Sequence, residues 1–481
     1  MKPKVYFIGI GGIGTSALAR WFLSKGYNVS GSDASPSETT QELKKEGVKV
    51  FIGQKASNLD KSIDLVVHTA AVKAGNSEFD RAKKLKISLM SYSQALGSLT
   101  RQYKTIAIAG AHGKSTTTAL MSLVAIKSKI DPTVIVGTKL KEFGGSNFRN
   151  GKSKHLIIEA DEYANAFSNY FPWAAIILNI DREHLDYYKN LSEIKNVFLG
   201  FVGNIQVGGI LILNKDDKNL FSLKNKIEKI AKKKKIKIVW FSIREKFKEN
   251  IRKRLEKFLK ITGSHNVSNS LAVYELARLM KVKEKDIFAA LGSFNGAWRR
   301  MEYRGEFRIK NLGHRNKKTF LILNPKSSIL VYDDYAHHPT EIKATLSGIA
   351  QKWPKKALIC VFQPHQTKRL TSLFNEFSEA FDDVNNLILL DIFKVRGREN
   401  SSEVSQNISQ KLAETIKKRI SKIENCKLKI ITHIPSSQQK NLKKVLENII
   451  LNPKFSILNS AAIIIMMGAG DIYKMTDSLI N

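Results

Sequence analysis

Cysteine is nearly absent from this sequence, with two residues in 481, Cys360 and Cys426, far apart and set in apolar or lysine-rich surroundings. That excludes a disulfide framework and a cysteine-ligated metal knuckle, and it fits buried thiols in a reducing compartment. Long hydrophobic runs are missing too. The longest candidates, such as residues 461–467, have the length of a strand and fall well short of the roughly 20 apolar residues of a membrane span. Residues 5–8 run straight into glycines rather than into a cleavage site, so no secretory signal is expected and the protein is expected in the cytoplasm. Internal repeats and low-complexity linkers are also lacking.

Acidic residues are scarce against basic ones, 43 Asp and Glu facing 79 Lys and Arg, for a formal net charge of +36. Such a balance suits a partner of nucleic acid or of an anionic membrane. The distribution argues otherwise. Lysines spread through almost every helical stretch, and the densest run, 232–235, has no interleaved aromatics to stack on bases. Attraction of polyanionic nucleotides fits better, and a cationic nucleotide-dependent nucleic-acid binder is the distant alternative. With 43% hydrophobic and 25% charged residues the composition is that of a globular protein. The length implies two to four domains. Three are read, at 1–103, 104–296 and 297–481.

The strongest signal is at 105–118. A β-rich run ends in Gly110, Ala111, His112 and Gly113, and Lys114, Ser115 and Thr116 open a helix. Glycines let backbone N–H groups close on phosphate oxygens, the helix N-terminus adds its positive end, Lys114 supplies charge and Ser115 a hydroxyl for Mg²⁺. The longer form of this loop has a glycine where Ile108 stands, so this is a shorter Gly-x-x-Gly-Lys-Ser variety. A structural glycine corner is the alternative.

A second glycine turn lies at 9–14, with Gly11, Gly12, Ile13 and Gly14 between a strand and a helix, and a second strand ends in Ser32 and Asp33. Glycines followed about twenty residues later by an acid form the arrangement of a dinucleotide fold, binding a nucleotide diphosphate or serving as a βαβ corner. His68 and Thr69 lie in the strand read at 64–72; they face the same crevice, or His68 is a satisfied strand-end histidine. Two nucleotide sites in one chain suggest that one nucleotide is consumed and the other is a handle.

Further candidates follow strands. Glu159 ends the strand at 154–159 at the height of a metal-binding acid, with Asp161 and Glu162 beside it. His184 follows the strand at 174–179; as a magnesium ligand it runs against that ion's preference for oxygen. Asn266 and Asn269 share one helical face, to read an adenine edge or to cap the helix. Arg299 and Arg300 follow a glycine turn and suit phosphates. The strands at 329–334, 357–362, 387–393 and 461–467 precede His337, then His365 and Arg369, then 394–400, and then a last glycine turn. The fold class is therefore α/β, with a Rossmann-like first domain, a central P-loop ATP-binding domain and a Rossmann-like third domain.

Taken together, the glycine turn at 9–14, the loop at 110–118, the acids at 159–162, His184 to Asp186, His265 and Asn266 with Asn269, Arg299 and Arg300, residues 334–341 and Phe362 to His365 resemble the Mur ligases, ATP-dependent amide-forming enzymes of peptidoglycan precursor synthesis. The resemblance covers all three domains and is greatest to the alanine-adding branch. It implies ligation of L-alanine to the lactyl carboxylate of UDP-N-acetylmuramate through an acyl phosphate, with ADP and phosphate released; a recycling ligase that adds an L-alanyl peptide is the alternative. It implies that Gly11, Gly12, Ile13, Gly14, Ser32, Asp33, His68, Thr69 and Ala70 hold the UDP-sugar. Gly110 to Thr116, Asn266, Asn269 and one of Arg299 and Arg300 would hold ATP. Ser115, Glu159 and His184 would hold Mg²⁺, with Mn²⁺ as a substitute, and His337, His365 and Arg369 the alanine. Lys114, His184, Arg300 and His337 would then be catalytic, in a monomer or homodimer. The family usually has threonine at Ala111, and arginine after its Phe-Gln-Pro-His, where this chain has Gln366 and offers Lys368 and Arg369.

Overall fold

The computed structural model describes residues 2–185, 187–309, 329–394, 407–424, 426–452 and 462–480. Asp186 and residues 395–400, singled out above, lie outside them. Among the described residues three sheets are present. In the first, β1 (Lys4–Ile8), β2 (Asn28–Asp33), β3 (Lys49–Ile52), β4 (Leu65–His68) and β5 (Ser88–Ser91) run parallel in the order β3-β2-β1-β4-β5. The strand read at 64–72 stops at His68, where the polar tail begins. The order reverses between β1 and β4, which places the crevice of such a sheet beside the first glycine turn.

The second sheet holds β6 (Lys104–Ala109), β7 (Thr133–Leu140), β8 (Ser146–Arg149), β9 (His155–Glu159), β10 (Ala174–Ile177), β11 (Ile210–Asn214) and β12 (Lys237–Phe241), in the order β12-β11-β10-β6-β9-β7-β8. Only β8 runs antiparallel. β6 lies between β9 and β10, so the segments after those two strands arrive on either side of the loop that follows β6. The third sheet has the order β13-β14-β18-β15-β16-β17, from β13 (Glu302–Phe307), β14 (Ile329–Asp334), β15 (Ala357–Phe362), β16 (Asn386–Leu390), β17 (Ile430–Ile434) and β18 (Ala462–Met467), with only β13 antiparallel. The strand read at 387–393 ends at Leu390, and Phe393 instead makes an isolated bridge with His365.

Central parallel strands covered on both faces must be apolar throughout. Residues 105–109 of β6 and all of β10 and β18 are buried. The chain divides into two compact units, 1–260 with 266–297, and 261–265 with 298–481. The first contains two sheets because one apolar cluster runs through both, from Phe7, Leu18 and Leu96 to Ala107, Ile158, Phe167 and Phe198. The second has its own core, with Val331, Ile359, Ile388, Ile464 and Met466. Cys360 is buried, as expected; Cys426 is only half-buried, because it follows the end of the helix Ile408–Ile420 near the sheet's edge.

Candidate active site

After β1 the chain turns at Gly9, whose N–H donates to the Ser32 carbonyl at 2.8 Å while its own carbonyl accepts from the Thr15 hydroxyl at 2.7 Å. Gly12 then caps the helix Ile13–Ser24 without any side-chain acceptor, which leaves the first turn's amides directed at the crevice. Asp33 closes the turn by accepting from the Gly11 N–H at 2.9 Å. Thr69 packs over Gly9, and the His68 ring rests edge-on against Phe79 with Nδ1 3.1 Å from the Thr69 carbonyl. The structure thus brings Gly11 to Gly14, Asp33 and Thr69 together, with Ala70 exposed just beyond β4. Ser32 departs from expectation. Neighbouring strand residues point to opposite faces, and the Ser32 hydroxyl is buried and donates to Glu78, which also accepts from Tyr6 and Asn58.

The loop after β6 is built to the same plan and is better furnished. Gly113 adopts a left-handed φ of 84° as it leads into the helix Lys114–Lys127. Only glycine takes that conformation without strain. Asn179, just past β10, holds the loop from both sides, accepting from the His112 N–H at 2.8 Å and donating to its carbonyl at 3.0 Å, and the His112 ring meets Asp181 at 2.9 Å. Lys114 is nearly enclosed, with Nζ 2.7 Å from the Gly110 carbonyl, 3.1 Å from that of Ala111 and 3.1 Å from Glu162. Burial opposes its charge, but Glu162, Asp161 and Glu159 more than compensate and hold the ammonium well above its usual range. Ser115 donates to Glu159 at 3.0 Å, and the other oxygen of Glu159 accepts the Gly137 N–H at 2.8 Å. Ala111 and Thr116 are half-buried beside it.

A hydroxyl and a carboxylate in contact beside a phosphate loop form an all-oxygen donor pair that fits magnesium. His184 stands apart from that pair. Its Nε2 lies 3.3 Å from Glu162 and 3.5 Å from Asp161, on a left-handed backbone with a φ of 56°. Burial disfavours its charge, yet hydrogen bonds to Asp161 and Glu162 push the imidazole up to about 10. The three side chains offer ligand atoms within 4.8 Å of one another, so a cation there displaces a proton first. Asn269 reaches the loop, since a methyl group built on Gly113 would lie 2.8 Å from its Oδ1. Asn266, one turn earlier, is also buried, and both sit inside the helix Ser264–Leu279 rather than at its cap.

In the second unit Arg299 and Arg300 part company. Arg299 is 4% exposed and its guanidinium donates to the Gly468 and Gly470 carbonyls among the rings of Trp298, Tyr335 and Tyr473, so it fastens the turn after β18. Arg300 keeps part of its side chain exposed and lies 3.8 Å from Glu341. His337, after β14, meets His365, after β15, ring edge to face at 5.8 Å, and Arg369 donates to His365 Nδ1 at 3.3 Å. The Phe393 ring stacks on His365 at 5.7 Å between centroids. His337, His365 and Arg369 thus form one cluster, in which the Arg369 guanidinium suits a carboxylate.

Asn179, Gly137 and Phe393 were not singled out from the sequence. The signal available for Asn179 was a polar residue closing an apolar strand; Gly137 and Phe393 had none, because their partners lie 22 and 28 residues away in the chain.

A glycine loop with lysine, hydroxyl and carboxylate converging on it, in one compact unit with a second glycine turn, is an arrangement suited to holding the phosphates of a nucleotide. Residues 4–104 match the "Mur ligase family, catalytic domain", 108–277 the "Mur ligase middle domain" and 320–441 the "Mur ligase, glutamate ligase domain". The UDP-N-acetylmuramate–L-alanine ligase of Clostridium kluyveri is 38% identical over 500 aligned positions, covering 100% of this chain and 98% of that protein. Among solved structures, the UDP-N-acetylmuramate-alanine ligase MurC of Thermotoga maritima aligns with a TM-score of 0.74 at 23% identity, covering 99% and 98% of the two chains. A murein peptide ligase of Psychrobacter arcticus aligns at 0.64 and 22%, with the same coverage. The chain belongs to the Mur ligase family.

Proposed function

We propose that this protein joins L-alanine to the lactyl carboxylate of UDP-N-acetylmuramate with ATP as the energy source, in peptidoglycan precursor synthesis in the cytoplasm. The observation that carries the reading is the contact of Ser115 with Glu159 beside Lys114, in the same compact unit as the glycine turn at 9–14. Full-length similarity to alanine-adding ligases selects the substrates. The lactyl carboxylate attacks the γ-phosphorus and the bond to ADP breaks. The alanine amine then attacks the acyl carbon, phosphate leaves with the bonding pair, and the amine gives up a proton.

No protein nucleophile takes part, so this chain's residues position groups and balance charge. Lys114 faces the phosphates, Gly110 to Thr116 cradle them, and Asn266 and Asn269 take the adenosine side. Ser115 and Glu159 would hold Mg²⁺, which supplies charge neutralisation on the phosphates, with His184 for a second ion. Gly11 to Gly14, Asp33, His68 and Thr69 bind the UDP-sugar. His337, His365 and Arg369 bind the alanine carboxylate, and Arg300 is the arginine of its pair with a guanidinium available for phosphate.

The test is phosphate release from ATP with a substrate panel. Release should require UDP-N-acetylmuramate and an amino acid together, with L-alanine preferred and the amide product found by mass spectrometry. No amino-acid-dependent release with that sugar refutes the reading, and preference for an L-alanyl peptide would instead select the recycling reaction.

A further inference from the structure

Tyr92 opens the helix Tyr92–Gln102 directly after β5, and its ring lies against the first glycine turn. A methyl group built on Gly14 would stand 2.8 Å from its Cζ and 2.9 Å from its hydroxyl oxygen, so the close approach depends on that glycine. The helix start is held by Ser91 and Gln94, which cap each other's backbone and fix the direction in which the tyrosine leaves the chain. The ring also packs on the apolar cluster shared by the two sheets. Among the described residues no group takes a hydrogen bond from the phenol. Burial, and then the negative charges of Glu159 and Asp161, raise its pKa far above neutrality. The hydroxyl therefore keeps its proton at any working pH and has it available to donate.

A substrate anchored by its diphosphate at Gly11 to Gly14, against which Tyr92 lies, must carry its carboxylate on to the acids and the loop. That carboxylate is repelled by Glu159 and Asp161, and a neutral donor offsets the repulsion without competing with Lys114 for phosphate. We infer that Tyr92 is a substrate-orienting residue, whose phenol donates a hydrogen bond to the lactyl carboxylate of the UDP-sugar on its way from the first glycine turn to the phosphate loop. The inference rests on the proposed UDP-N-acetylmuramate reading and adds a residue that neither glycine motif contains.

Tyr92→Phe removes only the oxygen and keeps the ring on Gly14. Binding of UDP-N-acetylmuramate and of plain UDP is measured by calorimetry on the unaltered protein and the variant, and initial rates are taken at saturating ATP and alanine. A hydrogen bond to a charged group predicts a loss of roughly ten- to a hundredfold in affinity and in kcat/KM for UDP-N-acetylmuramate. UDP affinity, the KM for ATP and the melting temperature should stay unchanged. Equal loss toward UDP would mean that the phenol reads the diphosphate, and no loss toward UDP-N-acetylmuramate would mean that it reads nothing; either overturns the inference. If the unaltered protein fails to bind UDP-N-acetylmuramate, the functional reading falls first and takes the inference with it.

Discussion

Gly137→Ala separates the placing of Glu159 from the stability of the fold. Gly137 is exposed on β7, yet its N–H holds one oxygen of Glu159, and a Cβ built there would lie 2.6 Å from that oxygen and 2.9 Å from the carboxylate carbon. The carboxylate must retreat by nearly an ångström to regain ordinary contact, which stretches both the backbone bond and the 3.0 Å bond from Ser115. A hydrogen bond to a charged group contributes about 1.5–3 kcal/mol. A misplacement of about 1 Å at a reacting centre costs up to roughly a hundredfold in rate. The clashing atoms are the far end of a side chain, so the fold should give way there at little expense. The assay is ATP-dependent phosphate release against a Mg²⁺ titration, together with a thermal melt. The Mg²⁺ requirement should rise and kcat/KM fall by roughly ten- to a hundredfold, with Tm within about 2 °C. An unchanged Mg²⁺ dependence would refute the role of Glu159, and a fall in Tm of about 10 °C would show that Gly137 serves the fold instead.

Lys114→Ala should abolish turnover and leave UDP-sugar affinity nearly intact in calorimetry, because the lysine's partners are the Gly110 and Ala111 carbonyls and Glu162, none of them in the first glycine turn. The neighbouring arginines should behave oppositely. Arg299→Ala should lower Tm by roughly 6–12 °C, from a loss of about 3 kcal/mol in buried charged hydrogen bonds, whereas Arg300→Ala should lower the rate of phosphate release without a comparable fall in Tm. His265 gives a pH signature. Burial holds its imidazole down to about 4, with Glu341 acting weakly against this and Arg300 with it. Above pH 6.5 neither the folded nor the unfolded form carries the proton; between about 6.5 and 4 only the unfolded form does, so acidification removes stability. The loss is at most about 3 kcal/mol before solvent screening, and denaturant melts of His265→Gln should show a shallower fall over that window.

Both glycine turns were readable from the chain because each is a local device, a strand, a turn and a helix start within about fifteen residues, whose φ values and amide directions follow from the glycines themselves. Glu159 was readable for a related reason, since a polar residue ending an apolar strand of a parallel sheet emerges at the crevice. Ser32 and Asp33 were read as one unit and were not one. The strand's twofold alternation turns the hydroxyl to Glu78 and the carboxylate to the Gly11 amide, and which neighbour faces which side depends on a helix more than forty residues away. The arginine pair divided in the same way, because the carbonyls that claim Arg299 lie about 170 residues further along.

By itself the sequence determined the class of sheets, the two glycine turns at helix starts and the family to which the chain belongs, all of which depend on short-range backbone chemistry and on motifs in a set order. Tertiary structure alone decided that the first two sheets share one core, that Gly137 and Ser115 together aim Glu159, that the turn after β18 engages Arg299 while Arg300 stays partly exposed, and that Tyr92 stands against Gly14. These are contacts between residues far apart in the chain. Close packing settles them, and no local pattern encodes which distant side chain will fill the space that a glycine leaves open.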